Sequence, residues 1–471
     1  MARPLVERFR WSNGFGGLAL AALMAEDHAP RAAAADRARD PIEVRPPHRR
    51  GKAKSVIFLF MDGGPSHVDT FDPKPRLAAE RGKPLPFPKA PNAPGSIAEL
   101  FPSPFAFRRY GQSGIEVSDL FPHVGSSVDD LCVIRSMVSD HSEHTAGNYF
   151  MHSGSGLQGR PSIGAWVTYG LGSPSKRMPG FIVLDSGMIP PGGVDLFGSG
   201  FLPAGHQGTL FRNSAHPVAD LAPREADPGL QRSKLRLLET LDRGALARSG
   251  PAPEMEAAIA NYELAFRMQT EVPDLLDFRG ETEATRRLYG LDEKDTAEFG
   301  RECLLARRMV ERGVRFVELL SPRRPGVDRW DQHGNIVGGH GINCKATDKP
   351  IAALLTDLKA RGLLEETLVV WGGEFGRTPM TQKGNRGPGR DHHPYGFTMW
   401  MAGGGVRGGI VHGATDEYGY YAVEHRVDVH DLHATILHLL GIDHTRLTFH
   451  FSGRDMRLTD VDGRVVREIL V

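Results

Sequence analysis

The chain has 471 residues, and its 57 Lys and Arg residues balance 57 Asp and Glu residues, so the formal net charge is zero. This balance lacks the basic excess of general nucleic-acid-binding proteins and excludes that class. Three cysteines, none in a CxxC pair, exclude a disulfide framework. With 56 Gly, 34 Pro and 40% hydrophobic residues, the composition predicts a loop-rich globular protein rather than a disordered one.

The beginning of the chain is typical of a leader peptide. The apolar run Phe15–Met24 is shorter than the roughly 20 residues that span a bilayer, and basic residues including Arg8 and Arg10 precede it. These two arginines are not adjacent, so the leader is Tat-like rather than a true twin-arginine signal. The alternative is an amphipathic N-terminal helix on a cytoplasmic enzyme. We expect a leader and linker over residues 1–50, a domain over 51–471, and a periplasmic or extracellular location.

Further along, six continuous apolar runs predict strands that are buried on both faces, as in a parallel sheet. In chain order they are Ser55–Met61, Leu131–Ile134, Phe181–Leu184, Val314–Leu320, Thr367–Trp371 and Phe397–Met401. Helical patterns occur at Arg301–Arg312, Lys349–Lys359 and Asp431–Leu440. This alternation predicts an α/β fold with a central, mostly parallel sheet flanked by helices.

Three other segments interrupt this pattern. The charged segment 253–298 has helical periodicity and is predicted to be a helical insertion. The Gly- and Pro-rich segments 85–115 and 187–230 are predicted to be surface excursions around the sheet. No segment after the leader is apolar enough to span a membrane.

Carboxylates and imidazoles cluster next to the predicted strands. Because ligands bind beyond the carboxyl ends of strands in open α/β sheets, we expect these side chains to meet at one edge. Carboxylate and imidazole together are the ligands of Zn²⁺, Mn²⁺ and related divalent ions. The candidate metal ligands are Asp62, Asp69, Asp331, His333, Glu374, Asp391 and His392.

Several of these residues also have a structural interpretation. Asp62 precedes two glycines and could belong to a tight turn, whereas Asp69 could cap a helix. Asp331 and His333 could stabilise their loop through Asx hydrogen bonds. Arg377 is either an ion-pair partner of Glu374 or a clamp for an anionic substrate.

Five segments together closely resemble the DUF1501 family. They are Phe60–Pro75, Ala257–Met268, Gly372–Pro379, Gly389–Pro394 and Val429–Asp443. The resemblance covers residue 50 to the end of the chain. It implies the alkaline-phosphatase-like fold that phosphatases, sulfatases and phosphoglycerate mutases share, with two divalent metal ions whose identity (Zn, Mn, Mg or Ca) stays open.

The resemblance also implies a nucleophile at a helix N-terminus after the second strand. In this chain that place is occupied by the segment 139–146, so Thr145 and Ser142 are the candidate nucleophiles and His144 is a neighbour or a ligand. No cysteine is followed by x-Pro-x-Arg, which disfavours the formylglycine mechanism of sulfatases. A helix N-terminus at this point would direct free N–H groups towards an anion.

These features lead to one hypothesis and two alternatives. The first is an exported, metal-dependent hydrolase of phosphate or sulfate esters, acting on a small or polymeric anionic substrate such as a sulfated or phosphorylated glycan. A metal-stabilised protein that binds a glycan or an anion without turnover is the second. A metal-dependent phosphomutase is the third.

Overall fold

The computed structural model describes residues 43–90, 99–212, 217–218, 227–249, 265–269, 271–384 and 387–471. The predicted leader, up to residue 42, lies outside the described residues. So do residues 253–264 and 270 of the helical segment. The described part of that segment contains a 3₁₀ turn at Phe278–Gly280 and a helix at Glu283–Leu288. The insertion and the domain bounds therefore stay predictions.

Nine strands of the described residues form one central sheet. They are β1 (Ser55–Phe60), β2 (Leu131–Val138), β3 (Phe181–Asp185), β4 (Thr209–Arg212), β5 (Phe316–Leu320), β6 (Thr367–Gly372), β7 (Phe397–Ala402), β8 (Ile410–His412) and β9 (Val427–Asp428). Their order is β8-β2-β7-β6-β1-β5-β3-β4, and β9 pairs with β2. All of these pairings are parallel except those of β7, which is antiparallel to both neighbours. The predicted mostly parallel sheet is confirmed.

The reversed direction of β7 decides what reaches the functional edge. Residues that follow the parallel strands lie at the carboxyl edge, whereas for β7 the residues that precede Phe397 lie there. A short antiparallel ladder pairs His392 with Arg377 and His393 with Gly376 just before this strand. This ladder carries His392 to the same edge as the residues after β5 and β6.

Helices flank the sheet on both faces. The longer ones are α1 (His144–Ser153), α2 (Ile163–Leu171), α3 (Pro228–Ser249), α4 (Ala297–Glu311), α5 (Ile336–Ala360) and α6 (Val429–Leu439). Shorter helices occur at His67–Thr70, Pro75–Ala79 and Pro122–Gly125. The predicted α/β fold, a sheet between helices, is thus confirmed.

The two faces of the sheet contact two separate hydrophobic clusters. In β1, Ile57 and Leu59 belong to one cluster, and Val56, Phe58 and Phe60 belong to the other. Every residue of β1 is buried, because side chains alternate between the faces and helices cover both. The continuous apolar runs of the sequence have this physical origin.

The prediction that 187–230 is only a surface excursion is wrong in one part. Strand β4 lies within it and pairs in parallel with β3 at the edge of the sheet. Thr209 and Leu210 are partly buried, Phe211 is buried and Arg212 is exposed, so the segment lacks the continuous apolar pattern of a central strand. Helix α3 also begins inside the segment, at Pro228. No helix among the described residues is long and apolar enough to span a membrane.

Candidate metal centre

Four side chains from three segments converge at the carboxyl edge of the sheet. His144 begins α1, Asp331 and His333 lie in the loop after β5, and His392 precedes β7. One ligand atom from each lies within 4.8 Å of the others, and this is the one such group found in the described part of the chain. The fold therefore brings together ligand-type residues that are far apart in the sequence.

The Asp331 carboxylate contacts all three imidazoles. Its Oδ1 atom lies 2.9 Å from His333 Nε2 and 3.2 Å from His392 Nε2. Its Oδ2 atom lies 3.2 Å from His144 Nε2. His333 Nε2 and His392 Nε2 are 2.9 Å apart. All four ligand atoms thus face one small volume.

Each imidazole presents Nε2 to this volume because an acceptor holds its Nδ1 atom. His144 Nδ1 lies 2.6 Å from Glu374 Oε1, and His333 Nδ1 lies 2.5 Å from the side-chain oxygen of Gln382. His392 Nδ1 lies 2.7 Å from the backbone carbonyl of Ser142. When Nδ1 donates to such an acceptor, the neutral ring carries its lone pair on Nε2, which is the state that binds a metal.

The donor set fits a divalent metal ion. Since His333 and His392 both use Nδ1 as the donor, their Nε2 lone pairs, 2.9 Å apart, repel each other unless a proton or a cation lies between them. His144 Nε2 is buried and directed towards Asp331 Oδ2, which lies 3.2 Å away. Three imidazole nitrogens and one carboxylate form a ligand set typical of Zn²⁺ and related ions. The second ion implied by the family resemblance stays a prediction.

Without a metal, the centre is strongly polarised. Burial alone would raise the pKa of Asp331, but its contacts with the three imidazoles and with Arg377 hold that pKa far below its usual range. Burial likewise opposes the charging of His144, yet the carboxylates of Asp331 and Glu374 raise its pKa to about 9. Contact with Asp331 raises the pKa of His333, whereas burial lowers that of His392. The metal-free centre therefore holds protons that a metal must displace.

Glu374 was predicted as a ligand, but the structure places it behind His144. Its side chain is fully buried. Both of its carboxylate oxygens accept the backbone N–H of Gly63, at 2.9 and 3.1 Å. Gly63 has a φ of 105°, and a Cβ atom there would lie 2.7 Å from the backbone nitrogen of Asp331. Glycine at this position is thus required for the loop after β1 to approach the loop after β5.

Arg377 was predicted to pair with Glu374 or to clamp an anion, and the structure pairs it with Asp331. Its side chain is completely buried and lies 2.6 Å from Asp331 Oδ1. The guanidinium also donates to the carbonyl oxygens of Gly63 and Gly64. Because these internal acceptors use its donors, Arg377 positions Asp331 and the loop after β1.

Asp69 lies outside the group of four, since it forms a different buried ion pair. It binds Arg390 through two contacts, at 2.6 and 3.1 Å, and both side chains are fully buried. The Ser66 hydroxyl donates to the same carboxylate at 2.6 Å. The helix His67–Thr70 directs Asp69 to this pair, and the Asp69 side chain does not cap it.

Asp62 and Asp391 also lie next to the centre without joining the group. Asp62 Oδ2 is 2.8 Å from Arg329 Nε. Burial, reinforced by the charge of Glu374, raises the pKa of Asp62 to about 8. Asp391 Oδ1 accepts the backbone N–H of His392 at 2.9 Å and lies 3.7 Å from His333 Nδ1.

A helix begins at His144, but its first N–H groups are already satisfied. The Glu143 side chain accepts the N–H of Thr145 at 2.9 Å and that of Ala146 at 3.1 Å. Neither candidate nucleophile caps the helix, because Glu143 has that role. The expected free N–H groups are therefore engaged by a carboxylate, and an anion that binds there must displace Glu143.

Sequence reasoning missed two of the three groups that orient the imidazoles. Gln382 lies in a hairpin strand, Gln382–Gly384, and no local motif marks it. The second group is the backbone carbonyl of Ser142, whose position no side-chain pattern can reveal. Glu143 was also missed, although an acidic residue just before a helix is a recognisable capping signal.

Comparison with known proteins gives a family and several distant structural likenesses. No curated protein matches the chain. It is similar to the PsFucS1 sulfatase from Pseudoalteromonas sp., with 12% identity and a TM-score of 0.34, over 83% of this chain and 68% of that one. It is also similar to the phosphonate monoester hydrolase from Silicibacter pomeroyi, with 14% identity and a TM-score of 0.33, over 74% of this chain and 71% of that one. A third similar structure is the alkaline phosphatase from the Antarctic bacterium TAB5, with 11% identity and a TM-score of 0.31, over 75% of this chain and 92% of that one.

The family assignment rests on the sequence itself. The profile of one family matches residues 53–470, which is nearly the whole described domain and includes all four residues of the metal centre. The chain belongs to the DUF1501 family, described as a protein of unknown function.

Proposed function

We propose that the protein is an exported, metal-dependent hydrolase of phosphate or sulfate esters. The observation that carries this proposal is the convergence of three imidazole Nε2 atoms and the Asp331 carboxylate at one edge of the sheet. The His333 side chain is 38% exposed, so the centre is accessible from solvent on that side. A divalent ion bound there supplies a Lewis acid that polarises the ester.

The proposed attacking group is the Thr145 hydroxyl, which directly follows the candidate ligand His144. The Glu143 carboxylate, which accepts the backbone N–H of Thr145 at 2.9 Å, is the proposed acceptor of the hydroxyl proton. Burial would raise the pKa of Glu143, but bonds from the N–H groups of Thr145 and Ala146 lower it, so Glu143 is ionised at neutral pH. Thr145 Oγ1 forms a bond to phosphorus or sulfur, the bond from that phosphorus or sulfur to the alcohol oxygen of the ester breaks, and the Thr145 proton passes through Glu143 to the departing alcohol. Water then hydrolyses the new ester at Thr145 and releases phosphate or sulfate.

Ser142 is the second candidate for the attack. Its backbone carbonyl holds His392, so the residue lies beside the centre. Variants of the two hydroxyls separate these assignments. Thr145→Ala should lower turnover by several orders of magnitude, whereas Thr145→Ser should retain most of it. If Ser142→Ala rather than Thr145→Ala abolishes turnover, the attacking group is Ser142. If both alanine variants retain turnover, the attacking group is a water molecule.

A binding protein without turnover is a second candidate, and two observations favour it. The groups best suited to hold an anion are engaged internally: Arg377 binds Asp331, and Glu143 accepts the first N–H groups of α1. Such a protein would use the metal to stabilise the loops around a glycan or an anion. Only an activity measurement distinguishes it from a hydrolase.

The deciding experiment measures metal content and hydrolysis on the same preparation. Full-length protein is stripped with a chelator, reloaded with Zn²⁺ or Mn²⁺, and assayed with 4-nitrophenyl phosphate and 4-nitrophenyl sulfate. We expect metal-dependent hydrolysis of at least one ester, lost in His392→Ala and retained in the surface control His450→Ala. Stoichiometric metal binding without hydrolysis of either ester would support the binding protein instead.

Export is a separate part of the proposal. It is supported by the apolar run Phe15–Met24 with arginines before it. We expect protein isolated from its native host to begin between residues 26 and 50. An N-terminus at Met1 or Ala2 on the isolated protein would refute export through cleavage of this leader.

A further inference from the structure

A second cavity lies at the outer edge of the sheet and shares no residue with the metal centre. Its volume is about 410 Å³. It is bounded by the ends of β3 and β4, by the first turns of α4, and by the segment 276–291. Six Leu and Phe side chains line it together with Pro217: Leu184, Phe211, Leu276, Phe278, Leu291 and Leu305. This volume and this lining are typical of a site for a small organic molecule.

The polar part of the lining is cationic. Arg212, Arg286 and Arg301 line the cavity together with one acid, Glu302, so three positive charges against one negative give a formal charge of +2. Glu302 is buried and accepts a hydrogen bond from the Ser186 hydroxyl. The cavity therefore combines an apolar wall with an excess of guanidinium groups.

Acidic side chains among the described residues do not neutralise the three arginines. Arg286 lies 3.5 Å from Asp292, but these side chains are 40% and 64% exposed, and such a surface pair contributes little. Arg212 and Arg301 form no ion pair within the described ranges, and both residues are exposed. Their guanidinium groups are thus available to an anion from solvent.

We propose that this cavity binds an amphipathic carboxylate, an apolar chain or ring system that carries one acidic group. The apolar body would lie against the six hydrophobic side chains, where its removal from water is favourable. The carboxylate would face Arg212 and Arg301, because the guanidinium fork matches a carboxylate with two parallel hydrogen bonds. The site goes beyond the proposed hydrolysis, and neither depends on the other.

Decanoate is a suitable probe, and its uncharged counterpart decanamide tests the role of the charge. Binding to the full-length protein is measured by titration calorimetry. We expect one saturable site for decanoate and binding of decanamide at least about tenfold weaker, since a hydrogen bond to a charged group is lost. Arg301→Gln and Arg212→Gln should each weaken decanoate binding by a similar factor. Arg109→Gln should leave it unchanged, because Arg109 is an exposed residue of the antiparallel strand pair Phe107–Tyr110 and Ile115–Ser118 and does not line the cavity.

A third variant tests the apolar wall. Leu305→Trp places a larger side chain in the cavity and should reduce decanoate binding, with circular dichroism and the melting temperature as controls for folding. Absence of saturable decanoate binding would overturn the proposal. Equal affinity for decanoate and decanamide, or for the wild type and both arginine variants, would overturn it as well, because the arginines would then have no role.

Discussion

Replacement of Glu374 by glutamine should change metal affinity in a way that depends on pH. The side chain is fully buried, keeps its size in Glu374→Gln, and loses the charge that lies 2.6 Å from His144 Nδ1. Removal of such a partner behind a metal ligand typically costs about 10- to 100-fold in metal affinity. That factor is the expected loss where no proton competes with the metal.

Proton competition opposes this loss at lower pH. The pKa of His144 in the metal-free centre is raised to about 9, so at pH 7 a metal must displace a proton, at a cost of about 100-fold in apparent affinity. Glu374 is one of the two carboxylates that raise this pKa. If half of the shift disappears with its charge, proton competition at pH 7 weakens by roughly tenfold. The apparent loss should then be about tenfold or less at pH 7 and about 10- to 100-fold at pH 9.5.

Competition titration with a chromophoric chelator, in chelator-buffered Zn²⁺ at both pH values, measures this difference. Glu366→Gln is the matched control, because Glu366 lies on the surface and pairs with Lys54. An equal loss at both pH values, or a larger one at pH 7, would refute the assignment of Glu374 as the group that orients and charges His144. Normal metal affinity of Glu374→Gln at both pH values would show that His144 does not bind the metal.

Three further predictions concern the residues around the centre. Gln382→Leu removes the acceptor for His333 Nδ1 and should lower metal affinity by about 10- to 100-fold, with normal thermal unfolding of the metal-free protein; unchanged affinity would contradict it. Asp69→Ala leaves Arg390 as a buried unpaired charge and should lower the free energy of unfolding by about 3–5 kcal/mol in denaturant titrations; a loss below about 1 kcal/mol would contradict the buried pair. Because the pKa of His144 is raised, its proton is bound below pH 9 and lost above it. Metal affinity should therefore rise at least about tenfold per pH unit up to pH 9, and calorimetry in buffers of different ionisation enthalpy should detect proton release.

The strands of the central sheet could be predicted largely from sequence. The six apolar runs match observed strands to within a few residues, because a strand buried on both faces needs hydrophobic residues at every position. Strands β8 and β9 were missed, since they have only three and two residues. The first turns of α5 were also missed, because Gly338, Gly339 and Gly341 obscure its helical pattern.

Part of the centre could likewise be anticipated. Asp331 and His333 follow a buried strand, so sequence position and the α/β fold together indicate the edge they reach. His392 precedes its strand, and only the reversed direction of β7 carries it to that edge. The sequence prediction named His392, and not the adjacent His393, as a metal ligand. The ladder with Gly376–Arg377 turns His392 towards Ser142 and His393 towards the carbonyl of Tyr420.

Composition and local pattern therefore determined the layers of the fold and the types of side chain at the functional edge. The tertiary structure alone decided that the Asp331 carboxylate faces the Nε2 atoms of the imidazoles and that the Glu374 carboxylate faces Nδ1 of His144. Glu374 is 230 positions from His144, and the Ser142 carbonyl is 250 positions from His392. A metal ligand and an orienting group differ in position by only a few ångströms, and they face different nitrogens of the imidazole ring. That difference arises from the packing of distant loops, which no local sequence pattern contains.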